Sequence, residues 1–469
     1  MTNIVEALSD PTLFGDTFQP ESWDTWRAVL SAAFALPMTR EQTATFKRLS
    51  GGRQTPTERV RELVVIAGRR SGKNQVAAAT VVYQATIGVA LDGTLDRLSP
   101  GERGVVAVLA VDRRQARVAA DYINGILESS PLLSRMVSKP GAEVIELTNR
   151  ISIEVHTNSF RAIRGRTLVG AIFDECCFWR SDQTQNPDVE VYRAAVPALS
   201  TTGGLLMIIS SPYSKRGLVW DKYRKSFGQD GDILVLQGAT TDFNPTLPQR
   251  IIDDALRDDP EAAKSEWLGQ FRDDIQSFID RGMVERLVRD GPVELAPENR
   301  HTYFGFVDPA GGGGDEFGLC IGHKEGDRII VDVLRARKGP PGAIVAEYSN
   351  LLREYRIRTV QGDRYAGQWP SQEFDRHEIR YQHADKSKSD LYIEALAAFR
   401  NERVELPADD RMLNQFATLE RRTSASGKDS IDHAPGGHDD RANVVAGLVA
   451  TMNARRRGLD FRPHIEFAI

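Results

Sequence analysis

The sequence predicts two α/β domains, the first on a mostly parallel sheet with helices on both faces, the second on a mixed sheet. Three observations carry that expectation. From residue 63 to about 271, near-continuous apolar runs alternate with amphipathic segments, the pattern of strands covered on both faces and joined by crossover helices. After residue 300 the rhythm changes to three short strands close together, then helix, strand and a final helix. A polar stretch, 272–300, separates the two. At roughly 150 residues per domain, 469 residues allow two or three. The boundaries expected are 1–275 with a helical lead-in, 276–300 as linker, and 301–469.

Composition excludes several classes. The chain is 41% hydrophobic and 27% charged, with a formal net charge of -5. No global basic field advertises a nucleic-acid partner, so any DNA contact has to come from local patches. Three cysteines, two of them adjacent (Cys176, Cys177, Cys320), make neither a disulfide framework nor a CxxC metal pattern. The opening MTNIVEALSD does not read as a signal peptide, and no apolar run approaches the roughly 18 residues of a membrane span. A reducing, cytoplasmic setting without a membrane is expected.

Taken in order, the first sixty residues form a polar, partly helical lead-in with a turn-forming LSGGRQTP at 49–56. The apolar run LVVIA (63–67) then opens into Gly68, Arg69, Arg70, Ser71, Gly72, Lys73 and Asn74, followed by a helix-forming AAAT. A phosphate-cradling loop needs small residues for close backbone approach, a lysine for the terminal phosphates and a helix N-terminus behind it. Ala67 stands where glycine is usual. Asn74 stands where a Ser or Thr hydroxyl normally meets magnesium; its amide oxygen is a less well placed substitute.

GVVAVLAV (104–111) and SIEVHT (152–157) are further strands, and LVGAIFDE (168–175) ends in Asp174 and Glu175. A phosphate loop followed by an apolar strand closed by two acids is the arrangement of a P-loop NTPase. There the first acid holds the metal and the second acts as general base on water. LLMIISSP ends in Ser210 and Ser211, hydroxyls able to sense the γ-phosphate. Upstream, Arg161, Arg164 and Arg166 supply candidates for an arginine finger, Arg164 slightly preferred.

The second domain carries acids at strand ends. Asp308 closes YFGFVD and is followed by PAGGGGD, which adds Asp315; Asp363 closes RTVQGD; Asp439 and Asp440 open the last helix, with His438 beside them. Singly, each acid is explained by turn or capping chemistry. Together, on a first strand, a fourth strand and a late helix, they follow the order of an RNase H-like fold, in which two divalent ions serve phosphodiester cleavage. Hard oxygen ligands suit Mg²⁺ or Mn²⁺.

The ordered set AGRRSGKN, IFDE, SSP, EWLGQF, FVDPA, QGD and GGHDDRAN resembles the large terminase subunit of tailed bacteriophages and prophages, from about residue 40 to 455. KSKSDLYIEALAAFRNERVELP (386–407) resembles the family's late nuclease region. The resemblance implies ATP and Mg²⁺ as cofactors, with Mn²⁺ an alternative at the nuclease. Lys73 becomes the phosphate-binding lysine, Asp174 the metal-side acid, Glu175 the base and Ser210–Ser211 the coupling motif. Asp308, Asp363 and one of Asp439/Asp440 become nuclease ligands, Asp440 preferred and Asp315 accessory, and Gln54 becomes a candidate adenine contact. It implies double-stranded DNA, portal protein, procapsid and small terminase subunit as partners, a homo-oligomeric (pentameric) ring during packaging, and the host cell cytoplasm. The alternatives are a resolvase-type nuclease with a weakly hydrolysing nucleotide-binding half, and a P-loop helicase-like ATPase.

Overall fold

The computed structural model describes residues 2–159, 163–181, 184, 186–309, 316–362, 368–423 and 429–454. Residues 1–180 with 186–273 form one compact unit, and 181–185 with 274–469 form another.

The first unit is built on eight strands: β1 (Glu62–Ala67), β2 (Gly104–Ala110), β3 (Val137–Lys139), β4 (Val144–Leu147), β5 (Ile151–Thr157), β6 (Thr167–Asp174), β7 (Leu205–Ser210) and β8 (Ile233–Gly238). Their order is β3-β4-β5-β2-β6-β7-β1-β8. The six from β5 to β8 are parallel; β3 and β4 add an antiparallel edge. β1, β2 and β7 are buried along their whole length, and side chains alternate between two cores. Leu63, Val65 and Ala67 join one core with the helices Lys73–Tyr83 and Arg113–Ser129. Val64 and Ile66 join the other with the helices Pro187–Ser200 and Gly217–Ser226. Helices on both faces explain why these strands are apolar throughout rather than alternating. The lead-in is part of the first core, not an appendage: Ile4, Leu8, Phe14, Phe18, Trp26 and Leu30 are buried in it.

The decisive feature is that β7 lies between β1 and β6. Ile66 pairs with Ser210 and Asp174 with Ile209. Adjacent strands stand about 4.8 Å apart, so the ends of β1, β6 and β7 form one row.

The second unit contains β9 (Ile275–Ser277), β10 (Tyr303–Asp308), β11 (Phe317–Glu325), β12 (Arg328–Arg337), β13 (Thr359–Gly362), β14 (Arg380–His383), β15 (Val404–Glu405), β16 (Leu419–Thr423) and β17 (Asp429–His433). Six form a mixed sheet, β14-β13-β10-β11-β12-β15; β17-β16-β9 form a small second sheet. β10, β11 and β12 make the antiparallel meander that their spacing predicts, while β13 and β14 run parallel to β10. Val307, Leu319 and Ile321 face the helix Pro341–Glu354. Phe306 and Cys320 face the helices Lys388–Arg400 and Asp440–Ala454. The last helix packs close because Gly318 of β11 has no side chain: a Cβ there would lie 2.7 Å from Val444 Cγ1 and 3.0 Å from the Asp440 carbonyl. The stretch read as a linker contributes β9, the short helix Arg281–Glu285 and the buried side chains of Phe278, Ile279, Val284 and Leu287 to this unit's core. Its charges mask those four core positions.

Candidate functional site

The Gly-rich loop follows β1 directly. Arg70 has φ +62° and Gly72 φ +86°; at Gly72 a Cβ would also meet the Trp23 ring at 2.9 Å, so this turn needs glycine. Three successive loop carbonyls are tied from outside. Thr240 Oγ1 donates to Arg69 O (2.8 Å), Asn244 Nδ2 to Arg70 O (2.8 Å) and Trp26 Nε1 to Ser71 O (2.7 Å). In a trans peptide the C=O and the next N–H point oppositely. The N–H groups of Arg70, Ser71 and Gly72 therefore turn away from those partners, as an anion-binding loop requires.

Lys73 opens the following helix and is buried, 4% exposed. Its Nζ donates to Ala67 O (2.9 Å), Gly68 O (2.9 Å) and Ser211 Oγ (3.0 Å), and lies 3.5 Å from Glu175 Oε1. Asn74 is half-buried in the first turn of the same helix.

Asp174 ends β6, 3% exposed. Burial, reinforced by neighbouring Glu175 and opposed by Lys73, pushes its carboxyl up to about 7. Its Oδ1 is buried without a hydrogen-bond partner among the described residues, an orphaned acceptor beside an anion loop and so a fit for a hydrated magnesium ion. Glu175 adopts φ +49°, left-handed backbone for a side chain with a Cβ, at a cost of about 1 kcal/mol. Two contacts to β7 hold it there: its N–H donates to Ile209 O (2.8 Å), and its Oε2 accepts from Ser211 N (2.9 Å). Ser210 Oγ donates to Ser211 O (2.8 Å) and accepts from Cys177 N (3.1 Å). Lys73, Asp174, Glu175, Ser210 and Ser211 thus meet in one place.

The other first-unit candidates stand differently. Arg164 is exposed, Arg166 pairs with Glu154 at 3.4 Å, and Arg161 lies outside the described residues. Gln54 is exposed, its N–H on Asp230 Oδ1 at 3.1 Å.

In the second unit Asp308 ends β10, and its Oδ2 accepts from Asn443 Nδ2 at 2.6 Å. Asp440 Oδ2 accepts from Glu316 N at 3.2 Å. Asp439 is buried and gripped on both oxygens: Tyr392 Oη donates to Oδ2 (2.8 Å) and Lys388 Nζ to Oδ1 (3.0 Å). Lys388 also donates to Asp432 Oδ1 at 2.8 Å. Burial would lower the Lys388 ammonium, but Asp439 and Asp432 outweigh it and hold it above its ordinary range. Burial raises the Tyr392 phenol, with Asp439 and then Asp308 adding to it, which puts Asp308 and Asp439 in one electrostatic neighbourhood. Asp432, His433 and Asp439 offer ligand atoms within 4.8 Å of one another. Lys388 already neutralises the two carboxylates of that trio, whereas the carboxylates of Asp308 and Asp440 are hard-oxygen donors of the kind that fits Mg²⁺ or Mn²⁺. Asp315 and Asp363 lie outside the described residues. Lys388, Tyr392 and Asp432 escaped the sequence reading. The i,i+4 spacing of Lys388 and Tyr392 was visible, but not the acid they grip.

No family model matches the chain, and no curated protein is similar to it. Solved structures do match. The large terminase of bacteriophage HK97 is 14% identical, covering 89% of this chain and 95% of its own, with a TM-score of 0.37. A large terminase from a thermophilic bacteriophage is 13% identical over 93% of this chain and 100% of its own, TM-score 0.40. A large terminase nuclease from another thermophilic phage is 22% identical over 37% of this chain and 96% of its own, TM-score 0.32. The chain is similar to phage large terminases over about nine-tenths of its length.

Proposed function

We propose that this chain is a viral genome-packaging motor of the large-terminase type. An ATPase in the first unit drives double-stranded DNA into a procapsid, and a metal-dependent endonuclease in the second cuts the concatemeric genome. The observation that carries the reading is the meeting of Lys73, Asp174, Glu175 and Ser211 at three adjacent strand ends. A buried lysine at the head of a helix, beside a Gly-rich loop and a carboxylate on left-handed backbone, supports a site for phosphate and attacking water.

ATP with Mg²⁺ supplies the phosphoanhydride bond and the charge that polarises it. Lys73 exchanges its loop carbonyls for phosphate oxygens. Asp174 holds the metal side, and Glu175 takes the proton of the attacking water. Ser211 touches both Lys73 and Glu175, so a change at either is felt at the end of β7; this is the coupling role of Ser210 and Ser211. Arg164 acts as the finger, in its own subunit or a neighbour's. In the second unit Asp308 and Asp440, with Asp363 and accessory Asp315, would hold Mg²⁺ or Mn²⁺. Divalent ions held there would supply activation of water and stabilisation of the leaving oxygen. A translocating motor grips the phosphate backbone, so DNA binding falls steeply with salt. The partners are portal protein and small terminase subunit, with a homo-oligomeric ring at work in the host cell cytoplasm.

Asn74 favours one rival, a nuclease whose first unit binds nucleotide but hydrolyses it slowly. A paired assay separates them: DNA-stimulated ATP turnover and plasmid cleavage in Mn²⁺ for the natural chain, Lys73→Ala, Glu175→Ala and Asp308→Asn. The motor-nuclease loses turnover in the first two variants and cleavage in the third. No turnover in the natural chain supports the rival; no cleavage in any metal removes the nuclease.

A further inference from the structure

A second cluster of ligating groups sits at the other end of the mixed sheet. Tyr303 pairs with His323 at the start of β10, and Asp308 with Gly318 at its end. Five residues of strand put the two ends on the order of 16 Å apart. His301 precedes β10, and His323 and Glu325 close β11. Their ligand atoms lie within 4.8 Å of one another.

Local structure aims this cluster. Along β11 and β12, Ile321 pairs with Val333 but Gly322 with Val331, leaving Asp332 as the extra residue of a β-bulge. Bulges re-aim side chains, and Asp332 Oδ2 stands 2.7 Å from His323 Nδ1 with both side chains buried. With Asp332 Oδ2 accepting from Nδ1–H, the Nε2 lone pair is left available, the carboxylate–histidine arrangement that orients metal-binding imidazoles. His323 is 5% exposed, and its Nε2 has no hydrogen-bond partner among the described residues. That nitrogen lies 3.6 Å from Glu325 Oε1, which is 3.7 Å from His301 Nε2. Ligands of a tetrahedral zinc ion are separated by about 3.4 Å, close to those two distances, while the His301 and His323 rings, with centroids 4.0 Å apart and planes at 41°, must spread for both lone pairs to meet one ion.

We propose that His301, His323 and Glu325 bind a zinc-like d-block cation, with Asp332 orienting His323. Two imidazoles select such an ion over magnesium, which separates this site chemically from the carboxylates near Asp308. The ion ties the segment before β10 to the β11–β12 hairpin and so acts as a staple. It has one competitor: Arg300 Nε donates to His301 Nε2 at 3.0 Å while Arg300 also pairs with Glu298 at 2.8 Å. The exposed guanidinium must swing away, which weakens affinity.

The test uses the untagged full chain in excess Mg²⁺, with Zn²⁺ as stabiliser and Co²⁺ as spectroscopic probe. Zn²⁺ at about a hundredfold over its Kd raises Tm by roughly 5 °C, and Co²⁺ gives the visible bands of a tetrahedral site. His301→Asn and Glu325→Gln, both at the sheet's rim, fold with the natural metal-free Tm and lose shift and bands, whereas Asp308→Asn keeps both. The proposal is overturned if the natural chain shows neither signal, if both rim variants retain them, or if Asp308→Asn abolishes them.

Discussion

Lys73 Nζ lies 3.5 Å from Glu175 Oε1, and Ser211 touches both residues, through its hydroxyl on the lysine and its N–H on the carboxylate. The triangle joins the ends of three adjacent strands. It places the candidate base beside the candidate phosphate-binding cation.

Removing either charged corner should abolish turnover by different routes. Lys73→Ala is expected to weaken nucleotide binding and lower turnover at least 100-fold. Glu175→Gln should keep binding within a few-fold and lower turnover by about 10²–10⁴-fold. Equilibrium binding of a fluorescent ATP analogue beside steady-state turnover checks this. Equal loss of binding in both variants would contradict the assignment.

Asp174 predicts a pH dependence of stability. Its folded carboxyl titrates near 7, above the ordinary carboxylate value. Between those two pH values the folded chain holds a proton that the unfolded chain has lost, so stability from this group is full in acid and is lost as pH rises towards 7. Asp174→Asn should therefore raise the Tm of the nucleotide-free chain more at pH 8 than at pH 5. Scans at the two pH values decide it; equal shifts would mean the carboxyl is not raised.

Asn443 should behave as a positioning residue for Asp308. Its amide donates to Asp308 Oδ2 at 2.6 Å, and losing such a partner typically costs 10–100-fold in metal affinity or activity. Asn443→Ala is expected to need about tenfold more Mn²⁺ for half-maximal cleavage, with ATP turnover unchanged. An unchanged Mn²⁺ titration would leave the contact structural.

The adjacent acids should separate stability from cleavage. Asp439 is held by Lys388 and Tyr392, so Asp439→Asn should destabilise the second unit by about 1–3 kcal/mol. Asp440→Asn should remove cleavage at a smaller cost in stability than Asp439→Asn. Denaturant melts together with plasmid cleavage test the pair; the reverse pattern would make Asp439 the metal ligand.

What the sequence by itself determined is local. Apolar runs of five to eight residues specify buried strands, Gly72 specifies a turn with positive φ, and an acid pair after LVGAIF marks a strand end, because each depends on neighbours within a few residues. It likewise supplied the meander of β10, β11 and β12, whose short connections leave little topological choice. Only the tertiary structure decided which strand ends are neighbours. Nothing near residue 206 announces that β7 inserts between β1 and β6, yet that insertion brings Ser211 to Lys73 and Glu175. The same holds for the grip of Lys388 and Tyr392 on Asp439, and for the bulge that turns Asp332 onto His323. Such contacts are set by packing between segments distant along the chain. A residue pattern read one window at a time contains no term for them.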